Sequence, residues 1–177
     1  GTEDRRGTRK RGGEPGGDGD VSGGGGLVLT GPTRIIRSTI SGNSLRARAT
    51  FLFPGGAAVS ASDALQVIDS TIAGNVARGG GSLAAAGISV DSLAKLALRN
   101  SVVAANVGTG NDIYSQGSVV SAGHNLIGDV GALAAVFVQA GDQSGTAANP
   151  LDPVLSPLSY HGGTVPVHVP LPGSPLL

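Results

Sequence analysis

Short runs in which apolar and polar residues alternate recur along the first two thirds of the chain. In Thr33-Arg34-Ile35, Leu65-Gln66-Val67 and Leu96-Ala97-Leu98 the first and third positions read as one face and the middle position as the other. A period of two predicts strands with one buried face. Each run follows a Gly/Ala-rich lead into an apolar step: Gly25-Gly26-Leu27-Val28, Gly56-Ala57-Ala58-Val59 and Ala86-Gly87-Ile88-Ser89. Each precedes a third short element: Ser38-Thr39-Ile40-Ser41-Gly42-Asn43, Ser70-Thr71-Ile72-Ala73-Gly74-Asn75 and Ser101-Val102-Val103-Ala104-Ala105-Asn106. No unit carries a helical pattern long enough for a βαβ crossover, which argues against a flat parallel sheet.

The units repeat without gaps through their third element. The separation from Asn43 to Asn75 is 32 residues and from Asn75 to Asn106 it is 31. Three short strands in a coil of that size, repeated, predict a solenoid. Equivalent residues of successive coils then stack at the inter-strand spacing of about 4.8 Å. On this reading Ile40, Ile72 and Val103 form an interior aliphatic column, and Ser38, Ser70 and Ser101 a hydroxyl column near a turn. Asn43, Asn75 and Asn106 form an amide ladder, each donating to the next as stacked amides do in cross-β structures. Asn also tolerates left-handed backbone, so these residues are expected to turn a sharp corner.

Composition narrows the picture. The chain of 177 residues has 31 Gly, 3 Phe, 2 Tyr and no Trp, Met or Cys. Small and β-branched residues suit a narrow interior of stacked strands better than an aromatic-filled α/β core. Zero Cys excludes disulfides, thiol catalysis and Cys-based zinc sites. Net charge is zero but unevenly spread: residues 1–50 hold nine Lys/Arg against five Asp/Glu, and no Lys or Arg follows Arg99. The Arg-rich start mixes Arg5, Arg6, Arg9, Lys10 and Arg11 with Glu3, Asp4, Glu14, Asp18 and Asp20, and has no aromatic to stack on bases. It reads as a disordered polar tail over residues 1–22, not a nucleic-acid arm. No apolar run approaches the roughly 20 residues of a membrane span. The first residue is Gly and the last are Leu176-Leu177, so a fragment or processed form is expected.

No segment reads as an active site. Asp63 and Asp91 are the one acidic pair that adjacent coils bring toward each other, at the turn after the first strand. Without a third carboxylate or a paired Lys/Arg in register they make a weak alternative to solvated turn residues. His124, His161 and His168 lie in loop motifs without metal-ligand spacing. No catalytic residue, metal site or cofactor is expected. Gly131–Ala140, apolar and too short for a membrane, is expected to close the solenoid end as a short helix or buried strand. The tract from Pro150 to Pro175 is expected to lie along the last coils as a cap.

The coils and several later motifs resemble those of bacterial surface and secreted β-helix proteins. These include the choice-of-anchor Q group and relatives of polymorphic outer-membrane protein repeats. Asn100–Asn106 is similar to their last-coil "NSIVAGN" and Ser121–Gly128 to "SLGYNLIG". Asp152–Leu158 is similar to "DPLLGPL", His161–His168 to "NGGPTPTH" and Leu171–Pro175 to "LPGSP". Tyr160, His161, Val165 and Leu176 depart from the pattern. The resemblance covers roughly residues 23–177. It implies a right-handed parallel β-helix with a Pro-rich C-terminal cap, with coils over 23–107 and looser coils and cap over 108–177. It also implies a non-catalytic, exported, surface-associated or adhesin-like protein at the outer membrane or cell surface. Carbohydrate or host-surface ligands and a monomeric state are expected, and nucleic acid is not. A carbohydrate-active enzyme, lyase or glycoside hydrolase, is the alternative.

Overall fold

The computed structural model describes residues 25–47, 56–79, 85–108 and 110–177. The tail expected over residues 1–22 lies outside them. The first coil contains β1 (Leu27–Leu29), β2 (Thr33–Ile36), β3 (Thr39–Ser41) and β4 (Ser44–Ala47). The second repeats them as β5 (Val59–Ala61), β6 (Leu65–Ile68), β7 (Thr71–Ala73) and β8 (Val76–Gly79). The third has β9 (Ala85–Val90), β10 (Lys95–Arg99) and β11 (Val102–Ala104). The fourth has β12 (Asn111–Ser115), β13 (Ser118–Ser121) and β14 (Leu126–Ile127), and β15 (Gln143–Ser144) follows.

The strands stack into parallel sheets in the orders β1-β5-β9-β12, β2-β6-β10-β13, β3-β7-β11-β14-β15 and β4-β8. The molecule is thus an all-β parallel solenoid. The register is the one set by the repeat: Leu27, Val59 and Ile88 are partners, as are Ile35, Val67 and Leu98, and Ile40, Ile72 and Val103. Stacking continues past residue 107, where β12, β13 and β14 pair with β9, β10 and β11, with a register shift between Asn111 and Ile113.

Two expectations need correction. Each coil was expected to hold three strands, but the first two coils hold four. The stretch after each Gly-Asn becomes β4 or β8, because Leu45 and Ala77 find an inward site beside Ala57 and Ala86. The left-handed corner was expected at the Asn residues and lies elsewhere. Gly42, Gly74 and Ala105, one residue earlier, have φ of 73°, 68° and 56°. Arg37, Asp69 and Asn100 have φ of 49°, 51° and 47°. Two left-handed residues per coil bracket the third strand, and the Asn side chain is freed to point inward.

Inward columns fill the interior, where Val59, Leu65, Ile72, Ile88, Leu96, Leu98 and Val103 are fully buried. Each such side chain contributes about 1.5–3 kcal/mol. Leu27, Val28 and Ile36 of the first coil remain exposed. At the other end Val130 and Phe137 join the core, with Leu133 and Val136 packed against it. The segment expected to close this end, Gly131–Ala140, forms one 3-10 turn, Gly131–Leu133, and its own Phe137 supplies the plug.

The Pro-rich tract was placed along the last coils, and its contacts reach further. It folds back on itself through the antiparallel bridges Leu155↔Pro170 and Ser159↔Val167. Gln143 Nε2 donates to the Pro175 carbonyl at 2.9 Å, while His168 reaches Ser41 of the first coil at 2.8 Å.

Candidate functional site

The repeated polar residues form two columns of hydrogen bonds with one direction. In the amide column, Asn43 donates from its backbone N–H and its Nδ2 to Asn75 Oδ1 at 3.0 and 2.9 Å. Asn75 donates in the same way to Asn106 Oδ1 at 3.1 and 2.8 Å. Asn75 Nδ2 also reaches the Ile40 and Ala73 carbonyls, and Asn106 Nδ2 the Ile72 carbonyl. Asn75 is fully buried, while Asn43 and Asn106 at either side of it are half-buried.

The serine column has the same polarity. Ser38 N–H donates to Ser70 Oγ at 3.1 Å, Ser70 N–H to Ser101 Oγ at 3.2 Å and Ser101 N–H to Asn125 Oδ1 at 3.2 Å. Each hydroxyl donates to the carbonyl two residues earlier, in Ile36, Ile68 and Arg99. That local bond turns the lone pairs toward the preceding coil.

A column of donors pointing one way must end on a group that only accepts, and both columns end on a carboxylate. Asp112 Oδ1 accepts from Asn106 Nδ2 at 2.8 Å, and its Oδ2 accepts the Asp129 N–H at 2.8 Å. Asp142 Oδ1 accepts from Asn125 N–H at 3.0 Å and from Asn125 Nδ2 at 3.1 Å, while its Oδ2 accepts from Ser121 Oγ at 2.6 Å. Sequence reasoning missed Asp112, Asn125 and Asp142. The chain needs only six residues from Asn106 to Asp112 because the third coil has no fourth strand, so the terminators fall outside the 31–32-residue period. A Cβ on Gly128 would collide with the Asp112 carboxylate, so a bare backbone is required beside the terminator.

Burial pushes the Asp112 carboxyl above its ordinary range, partly offset by its hydrogen bonds from Asn106 and Asp129. The folded chain therefore holds this proton more tightly than the unfolded chain does. The linked stabilisation is complete below the unfolded value and disappears as pH rises through the raised folded value. Thermal unfolding of the wild type and Asp112→Asn across pH 3–8 tests this: the wild type is expected to gain stability relative to the variant on acidification. A difference that is flat with pH would show that Asp112 is not strained by burial.

The acidic pair of the enzymatic alternative is not aligned. Ala61 is the partner of Val90, so Asp91 lies opposite Ser62, one residue before Asp63. Asp63 Oδ1 turns back to accept the Ala64 N–H at 2.6 Å, and the Asp91 carbonyl accepts the Ala94 N–H at 3.0 Å. The Asp63 carboxylate acts within its own turn, and the Asp91 N–H also donates to the Ala61 carbonyl of the preceding coil at 3.0 Å. Asp69 sits at the outer corner, accepting from Asn100 Nδ2 at 2.9 Å, with Arg37 at 3.8 Å. Among the described residues no group of three or more His, Asp or Glu side chains converges.

His168 ties the Pro-rich tract to the first coil, and His161 acts locally. His168 Nδ1 lies 2.7 Å from the Ser156 carbonyl, an acceptor, so Nδ1 carries the proton and Nε2 accepts from Ser41 Oγ. His161 Nε2 is 2.8 Å from Ser159 Oγ in the same tract. His124 is exposed, at φ 57°.

What remains for contact with other molecules is the outer surface of the sheets. Arg34, Gln66 and Ala97 form one outward row of the second sheet, and Ile36, Ile68 and Arg99 another. On β4 and β8, Arg46 and Arg78 face each other in register and are exposed. No family model, curated protein or solved structure matches the chain.

Proposed function

We propose that the chain is a rigid, non-catalytic spacer or adhesive module of an exported bacterial surface protein. It is read as a right-handed parallel β-helix of the kind the choice-of-anchor Q group resembles, acting as a monomer. The right hand is the one that parallel crossover connections take almost without exception. The Pro-rich tract serves as a cap along the flank, since it runs from Gln143 to Ser41.

One observation carries this reading. The conspicuous repeated polar residues are consumed inside the coils, donor by donor, down to Asp112 and Asp142. Their chemistry goes into holding coils in register, which is what a rod requires. Contact with a cell-surface glycan or other ligand falls to the variable outward rows.

Incubation with pectin and a panel of glycans tests the reading. The protein is expected to release neither reducing ends nor unsaturated uronides. Turnover that disappears in Asp63→Ala or Asp91→Ala would replace the rod with a carbohydrate-active enzyme.

A further inference from the structure

Outward columns of this solenoid mix their charges. One column stacks Arg37, Asp69 and Asn100, which attract one another. Another stacks Arg34 on the neutral Gln66 and Ala97, and a third stacks Ile36, Ile68 and Arg99. The sheet of β4 and β8 breaks this rule, because Arg46 lies directly opposite Arg78. Leu45 and Ala77, the residues just before them, point into the interior, so both guanidinium groups emerge on one face, about 4.8 Å apart at the backbone. Like charges directly opposite on neighbouring strands destabilise a sheet.

No acidic side chain relieves that repulsion among the described residues. The ion pair nearest in sequence, Arg37 with Asp69, lies at the corner before β3 and β7, and segments 48–55 and 80–84 contain no Asp or Glu. The outward neighbours Ser44, Val76 and Val107 are small or aliphatic, leaving the two forks open. Two guanidinium forks at this spacing match the oxygens of one sulfate or carboxylate, which each grips with parallel N–H donors.

We propose that Arg46 and Arg78 form an anion-binding rung that takes a sulfate or carboxylate group of an acidic polysaccharide. The inference rests on the adhesive reading and gives that contact its chemistry. A polysaccharide is favoured over nucleic acid because β4 and β8 carry no aromatic residue on which bases stack. It is favoured over a free ion because a rod presents fixed positions to a polymer.

The test uses the full chain on immobilised heparin and on immobilised polygalacturonate at low ionic strength. The wild type is expected to be retained, and the double variant Arg46→Gln/Arg78→Gln to bind roughly tenfold more weakly. The double variant Arg34→Gln/Arg99→Gln removes the same charge from the second sheet and is expected to bind like the wild type. Circular dichroism of both variants confirms that they fold. Failure of the wild type to bind either polymer overturns the rung, and so does equal loss in the two double variants. Equal retention on polyglutamate or oligothymidylate overturns the choice of polysaccharide. Binding to neutral glycans or whole cells that survives Arg46→Gln/Arg78→Gln overturns the rung while leaving the adhesive reading intact.

Discussion

Asn75→Ala is expected to lower the unfolding free energy by about 3–4 kcal/mol, among the larger effects of any single substitution here. The side chain is fully buried and serves both directions of its column. Its loss orphans the Asn43 N–H and Nδ2, which donate to it, and removes the Nδ2 donor to the Ile40 and Ala73 carbonyls and to Asn106 Oδ1, which keeps the backbone N–H of residue 75. A buried polar group left unpaired costs about 1–3 kcal/mol. Asn43→Ala is expected to cost about 1 kcal/mol, because that residue only donates, and does so at a half-buried position open to water. Urea unfolding of the two variants side by side decides the matter. Equal losses would mean that the column contributes little beyond backbone pairing.

Phe137→Ala is expected to cost about 3–5 kcal/mol. Phe137 is the large aromatic of the described core, 4% exposed, and it closes the end that β14 and β15 otherwise present to solvent. Truncation removes its apolar area and leaves a cavity against an uncovered layer of strand edges. The loss is therefore expected to appear first as faster amide hydrogen exchange in β14 and β15, with β6 and β7 protected as before. Uniform acceleration through all coils would show that the plug stabilises the whole solenoid cooperatively. An unchanged unfolding midpoint would show that Phe137 plugs nothing.

The coil register was legible because three independent signals agree on it: period-two alternation, the Gly/Ala lead and the Ser-x-x-x-x-Asn spacing. The interior columns follow from those alone, since a side chain in a stacked strand has only two directions. The fourth strand was not legible. Ser44-Leu45-Arg46 and Val76-Ala77-Arg78 are too short to show alternation, and their single inward residue is small in one coil and large in the other. The left-handed corner was misplaced for a related reason. Asn and Gly both tolerate it, and only the demand that the Asn amide reach the next coil assigns the corner to Gly42 and Gly74. Arg37 and Ala105 adopt it against their intrinsic preference, held by pairing on both sides.

The candidate chemistry was less visible still. Asp112 and Asp142 carry no motif, and their role exists only once a column of donors needs an end. The Arg46–Arg78 rung is invisible until β4 and β8 are known to pair. Asp63 and Asp91 stand one residue out of register, because Asp63 lies four residues after Val59 and Asp91 three after its partner Ile88.

The one-way donors of the two columns also limit how this solenoid can be edited. A coil copied into the stretch between Asn43 and Asn75 inherits a donor on one side and an acceptor on the other, so both columns accept it without loss. A coil added beyond Asp112 and Asp142 meets a carboxylate that has nothing to donate, and begins with its acceptors unanswered. The molecule thus has an interior where length is free to vary and a finished end where it is not.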